Sequence, residues 1–290
     1  MSKYQIFTVD AFTDKPFGGN PAAVVPVPAD KPLTDTQMCQ IAVEMNLSET
    51  AFIVPTNASG PNAFQEASQF GLRWFTLTGE VKLCGHATLA TSHALFSLMH
   101  NQSDELRFDT LSGELVVQRN SDGLLTMTLP IDRPQPVAVS DDIKLLAASV
   151  FGEYRDTFEI ELSPRLKYLV VHDPNATEGD IAGLVPNISP QVYAAGERLG
   201  LLLVIATAKG TSKDFHSRVF APWAGVLEDP VCGSAHIVLA PFWEKRLDKK
   251  AFSVTQVSKR HGNLELNIVG DSQVQISGTA VTVLEGIITV

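Results

Sequence analysis

The stretch Glu228-Asp229-Pro230-Val231-Cys232-Gly233-Ser234-Ala235-His236 has an echo in Lys82-Leu83-Cys84-Gly85-His86-Ala87-Thr88. In both, Cys-Gly stands immediately before an apolar run with helical spacing. A strand-like segment precedes each turn, Arg73-Trp74-Phe75 in one case and Arg218-Val219-Phe220 in the other. The two Arg lie 145 positions apart and the two Cys 148, close to half of a chain of 290 residues. A single Cys-Gly step is an ordinary buried turn, because Cys is among the most buried residue types. Its repetition with His and small residues around it points instead to two halves of one plan. The expectation is an active site at a pseudo-twofold axis, the two turns facing each other over one cleft. A helix start carries unpaired N–H groups and a partial positive charge, so two of them would hold an anion, best a carboxylate.

Length fits two domains of about 145 residues, and the expected division is 1–130 and 131–290, with a terminal segment free to cross over. At 44% hydrophobic and 19% charged residues the chain can fill two cores. A net charge of −10 with scattered Lys and Arg argues against a nucleic-acid partner. No apolar run approaches a membrane span, and Met1-Ser2-Lys3-Tyr4-Gln5 lacks a signal peptide's apolar core. Three Cys, an odd number, point to reduced thiols, so a cytoplasmic protein is expected.

Outward from the two turns, the patterning predicts strands over 4–9, 22–27 and 51–54, with a helix from a capping box at Thr34-Asp35-Thr36-Gln37 to Met45. Residues 64–76 read as one long strand or hairpin arm, and 86–99 as a helix on which His93 is a core or edge residue. A meander over 105–129 closes the first half, and three Pro in residues 130–136 mark a stiff crossover. The second half repeats the scheme: a helix over 141–150, strands over 157–172, two short helices, strands over 201–207 and 215–220, a helix over 234–246, and closing strands over 251–257, 264–268 and 274–284. The fold class is α+β, two similar domains of antiparallel sheet or partial barrel, each around a central helix. Two Gly before Asn20 allow a close backbone approach, and Asn20 reads equally as a ligand contact or a turn residue. Glu49, at a loop-to-strand junction, reads on its own as a solvated turn residue.

Nucleotide loops, H-E-x-x-H, paired C-x-x-C and G-x-S-x-G are absent. Asp229, Ser234 and His236 suggest a triad, but within one turn they would fan out rather than align. Val9-Asp10-Ala11-Phe12-Thr13, Gly19-Asn20-Pro21-Ala22, Asn46-Leu47-Ser48-Glu49-Thr50, Cys84-Gly85-His86-Ala87-Thr88, Asp229 to His236 and Ile276-Ser277-Gly278-Thr279-Ala280 together resemble the PhzF family of phenazine-biosynthesis-like isomerases. The resemblance implies the diaminopimelate-epimerase fold, no cofactor or metal, a homodimer, and a small carboxylic acid as substrate. It implies that Glu49 is the general acid/base, with a pKa raised in a dry cleft. His86 and Asp229 would be its polar partners. Ser234 and the N–H groups around Gly85 and Gly233 would bind the substrate carboxylate, with Asn20 lining the cleft. Related racemases use one thiol from each half, and this chain has Cys84 and Cys232 at those positions. A thiol at a helix start is expected to have a lowered pKa, so a two-thiol racemase or epimerase stays open beside the favoured Glu49. A non-catalytic binding protein on the same fold is the third reading.

Overall fold

The structure, a computed structural model, describes residues 1–290. Two helices decide its plan, because each is buried on every side. In chain order the first elements are β1 (Lys3–Ala11), β2 (Asn20–Pro26), α1 (Asp35–Met45), β3 (Glu49–Pro55), α2 (Ala63–Glu66), β4 (Gln69–Phe75) and β5 (Glu80–Val81). They are followed by α3 (Gly85–His93), β6 (Glu105–Thr110), β7 (Gly113–Arg119) and β8 (Leu125–Pro130). The second series is β9 (Gln135–Pro136), α4 (Asp141–Phe151), β10 (Glu159–Leu162), β11 (Tyr168–His172), α5 (Glu178–Ala182), α6 (Pro190–Leu199), β12 (Leu203–Lys209) and β13 (Phe215–Ala221). It continues with β14 (Val226–Asp229), α7 (Ala235–Leu247), β15 (Ala251–Gln256), β16 (Gly262–Val269) and β17 (Gln273–Gly278), and β18 (Ala280–Thr289) ends the chain. No helix is long and apolar enough to cross a membrane.

The chain divides into two units, Met1–Thr128 with Ile276–Val290, and Leu129–Gln275. The last segment joins the first unit because β18 runs antiparallel along the whole of β1, from Lys3 opposite Thr289 to Ala11 opposite Ala280. In the first unit β1 pairs antiparallel with β2, β2 parallel with β3, β3 antiparallel with β4, β4 parallel with β6, and β6 antiparallel with β7. In the second the same sequence of pairings recurs from β10 to β16. The topology is thus duplicated step for step.

The expected all-antiparallel sheets are corrected to mixed ones. Parallel neighbours need a crossover connection, and α1, α3, the α5–α6 pair and α7 supply those crossovers. The single strand expected over 64–76 is a turn of helix, α2, followed by β4. The Asn101 amide donates to the carbonyls of Phe64 and Ala67 at 2.6 and 2.7 Å, which holds the bend. The strand expected over 274–284 breaks at Thr279, whose carbonyl accepts from the N–H groups of Phe12 and Thr13. Between β1 and β2, Gly19 has φ +57°, and a Cβ there would lie 2.0 Å from the Ala11 carbonyl oxygen. The close approach that asks for glycine is therefore to the chain's own backbone.

Helix α1 begins with the capping box predicted at Thr34 and ends at Asn46 in the left-handed conformation. Its buried Met38, Ile41 and Ala42 pack with Tyr4, Ile6, Val25 and Phe52. Helix α3 packs on β1, β2, β3 and β18 and is buried from His86 to Ser92. Its hydroxyls tolerate this because Thr88, Thr91 and Ser92 each donate to the carbonyl four residues back, at 2.6 to 2.9 Å. His93 on that helix is bonded to Thr282 at 3.0 Å, an edge role in keeping with its sequence reading. Helix α7 is buried from Ala235 to Trp243.

Candidate active site

Each buried helix is fed by a short hairpin with an ionic lock, half-buried in the first unit and more deeply buried in the second. Arg73 on β4 donates Nε–H and an Nη2–H to the two carboxylate oxygens of Glu80 on β5, at 2.7 and 2.8 Å. Arg218 on β13 does the same to Glu228 on β14, also at 2.7 and 2.8 Å. A few residues further on, Ser112 donates to the Lys82 carbonyl and Ser258 to the Pro230 carbonyl, both at 2.6 Å. The Cys84 and Cys232 carbonyls are held from four residues ahead, by Thr88 at 2.6 Å and by His236 Nδ1 at 2.8 Å. Bidentate Arg–carboxylate pairs are geometrically specific, so both Cys-Gly turns are delivered in a set position within their own unit.

In the first unit the turn meets the starts of two parallel strands. Ala22 on β2 lies opposite Glu49, the first residue of β3, and Asn20 begins β2. Asn20, Glu49, Cys84 and His86 therefore converge, with Gly85 between the last two. His86 is 5% exposed. Its Nε2 lies 3.2 Å from a Glu49 carboxylate oxygen, an ion-pair contact that falls short of an aligned hydrogen bond. Ser48 Oγ is 3.4 Å from the same nitrogen. The other ring nitrogen, Nδ1, is 3.1 Å from Asn20 Nδ2 and 3.5 Å from Cys84 Sγ. An amide can present either its NH2 or its oxygen by turning over, so Asn20 can follow the proton state of Nδ1.

The electrostatics correct two expectations. Burial pushes the Glu49 carboxyl up, but His86, Ser48 and Cys84 beside it outweigh burial and hold it below the usual carboxylate range. Burial pulls His86 down, and the Cys84 sulfur and Glu49 carboxylate overcome that and raise it well above its ordinary value. The pair is thus carboxylate and imidazolium near neutrality, rather than a protonated acid in a dry cleft. The thiols, expected to be acidified at helix starts, go the other way. Burial and the Glu49 charge push Cys84 up against the pull of His86 and the Ala87 N–H. Burial and the Asp229 charge push Cys232 up against that of the Ser234 hydroxyl and the Ala235 N–H.

In the second unit Asp229, Cys232, Gly233 and Ser234 occupy one turn. Gln256, fully buried on β15, clamps it: its amide oxygen accepts from Cys232 N–H at 2.9 Å and its NH2 donates to the Asp229 carbonyl at 2.6 Å. Ser234 Oγ lies 3.0 Å from the Tyr168 hydroxyl and 3.3 Å from Cys232 Sγ. His236 is not a triad base. It is fully buried, bonded to the Cys232 carbonyl and stacked on Phe215, and burial lowers its pKa to about 4.

Ser48, Tyr168 and Gln256 were not singled out from sequence. Ser48 lies inside a motif that carries the family resemblance, which was its available signal. Tyr168 and Gln256 reach the turn only through strand pairing and had no sequence signal.

A motif-bearing carboxylate–imidazole–thiol cluster at the start of a buried helix, with a duplicated counterpart of the helix start, is what the known proteins now have to match. Residues 9–286 match the sequence profile of PhzC-PhzF, described as phenazine biosynthesis-like protein. The chain belongs to the PhzC-PhzF family. Among PhzC-PhzF relatives, a Pseudomonas aeruginosa protein named an uncharacterized isomerase is 43% identical over 281 residues, 97% of each chain. A crystal structure of a PhzF-family protein from Enterococcus faecalis superposes with a TM-score of 0.85 at 36% identity and covers 100% of both chains. The hydroxyproline epimerase of Agrobacterium vitis, with bound trans-4-hydroxy-L-proline, matches with a TM-score of 0.55 at 12% identity, over 99% of this chain and 92% of its own. At that identity the likeness is one of fold, and it sets the PhzC-PhzF chain within the epimerase-like α+β architecture.

Proposed function

We propose that this chain is a cofactor-independent isomerase that moves a proton on a small carboxylic acid, with Glu49 as the general acid/base. The observation that carries this reading is the Glu49 carboxylate 3.2 Å from the buried His86 imidazole, in a cluster whose thiol is held protonated. A base must be deprotonated before it can act, and Glu49 is the group of this cluster held in its deprotonated form near neutrality. It takes a proton from carbon, and the electron pair left behind spreads into an enolate-like system. Glu49 or its partner His86 then returns a proton to the same carbon or to one two positions away. His86 balances the carboxylate charge and, with Asn20, sets its direction. In the second unit Gly233 and Ser234 offer N–H groups and a hydroxyl suited to a carboxylate, and Asp229 is assigned a polar supporting role. Names of relatives and fold neighbours that include isomerase and epimerase support the reaction class. Thiol-based racemisation is disfavoured because both thiols are pushed away from thiolate.

The test is incorporation of solvent deuterium into candidate carboxylic acids, measured with Glu49→Gln, Cys84→Ala and Cys232→Ala. Glu49→Gln lowers the exchange rate by ~100- to 10,000-fold with little change in binding. Near-native exchange by Glu49→Gln, with loss in either Cys variant, would transfer the role to the thiols. The working assembly is proposed to be a homodimer, which light scattering at a single-chain mass would refute.

A further inference from the structure

We propose that Glu49, Cys84 and His86 also form a binding site for a thiophilic divalent cation of the Zn²⁺ or Cd²⁺ class, and that the bound ion is an inhibitor. The site is independent of the reaction's chemistry, but its inhibitory effect rests on the role proposed for Glu49. One sulfur, one imidazole nitrogen and one carboxylate oxygen lie here with their donor atoms all within 4.8 Å of one another. Zinc bonds of about 2.3 Å to sulfur and about 2.0–2.2 Å to nitrogen or oxygen give tetrahedral edges of about 3.3–3.6 Å. A single ion takes only one of the two ring nitrogens: through Nδ1 it meets Cys84 Sγ at 3.5 Å, already a tetrahedral edge, and through Nε2 it meets Glu49 at 3.2 Å. The third donor, within 4.8 Å of the other two, then moves in to complete the set.

The donor set selects the ion. Calcium and magnesium require oxygen ligands and gain nothing from a thiol and an imidazole. Zinc and cadmium accept all three, and three protein ligands leave a fourth position for water or a carboxylate. Cys84 and His86 are 7% and 5% exposed, so the ion sits largely shielded, while Glu49 stays accessible enough to close over it. As the metal–sulfur and metal–nitrogen bonds form, the thiol proton and one imidazolium proton leave to buffer and no electron is transferred. The ion then holds the carboxylate that would otherwise meet the substrate.

The experiment is titration of the full-length protein with Cd²⁺, reading the thiolate-to-metal charge-transfer band in the ultraviolet, with Zn²⁺ binding measured by calorimetry. One equivalent is expected to develop the band in the wild type and in Cys39→Ser and Cys232→Ser, and Cys84→Ser is expected to lose it. Glu49→Gln is expected to weaken Zn²⁺ binding by more than about tenfold. X-ray absorption on the wild type with one Zn²⁺ needs no variant to fold and should show a single sulfur near 2.3 Å among nitrogen and oxygen neighbours. Absence of a stoichiometric band, a band that follows Cys39 or Cys232, or unchanged Zn²⁺ affinity in Glu49→Gln overturns the site. Deuterium exchange by the metal-free protein reports on the Glu49 reaction separately, so either idea can fail without the other.

Discussion

His236 makes this protein acid-labile at the turn that carries Cys232. The ring is fully buried, gives its one N–H to the Cys232 carbonyl at 2.8 Å, and has no partner at Nε2. A second proton would therefore sit unpaired in an apolar site against Phe215, which is why burial lowers the pKa from 6.5 to about 4. The unfolded chain binds this proton near 6.5 and the folded chain does not until about 4, so the unfolded state gains protons first as pH falls. The folded state is therefore penalised progressively from about pH 6.5 down to about 4, and the penalty stays level below that. With each pKa unit worth about 1.4 kcal/mol, the penalty at pH 5 is about 2 kcal/mol, rising toward about 3 kcal/mol below pH 4. Other groups titrate in the same range, so the decisive quantity is a double difference. His236→Asn keeps a donor near the Nδ1 position and removes the titration. Urea unfolding at pH 7 and pH 5 should show the wild type losing about 2 kcal/mol more than His236→Asn. Equal losses in the two proteins would refute the claim that His236 is held neutral.

Deuterium exchange should fall as pH drops through the depressed Glu49 pKa, since only the carboxylate can accept the carbon proton, and a pH–rate profile should place that limb below the ordinary Glu range. The Glu49–His86 pair also favours the folded state between its lowered carboxylate and raised imidazole values. That contribution is lost as pH falls through the first or rises through the second, which Tm measured against pH in wild type and Glu49→Gln should show. Arg218→Ala should cost about 3–5 kcal/mol in urea unfolding, because it strands Glu228 and the Ala182 and Leu184 carbonyls that Arg218 also holds. Arg73→Ala should cost clearly less, since its side chain is 35% exposed against 9% for Arg218, and equal costs would contradict the difference in burial. Gln256→Leu should lower stability by about 1–3 kcal/mol by leaving Cys232 N–H and the Asp229 carbonyl unpaired, and an unchanged Tm would rule out the clamp.

The Cys-Gly turns, the capping box at Thr34 and the helix starts were legible in the sequence because each is settled within a few residues by backbone hydrogen-bonding needs. The duplication was legible too, since Arg, Cys and the strand before them recur at nearly constant offsets, and the Arg–Glu locks follow that spacing. Glu49 is the instructive residue. Its local surroundings describe a solvated turn, and its motif resemblance picked it out, but its ionisation depends on His86, 37 positions away. Strand direction likewise waited on the three-dimensional connections, because a helix between two strands does not say by itself whether they share an edge. Tyr168 beside Ser234 and Gln256 across the Cys232 turn exist only once distant strands have paired. Sequence therefore determined what short-range geometry and repetition can encode. Which groups are dry, which charges face each other, and hence which proton each holds, depend on desolvation and on Coulomb interactions over a few ångströms between segments far apart in the chain, and those only the tertiary structure decides.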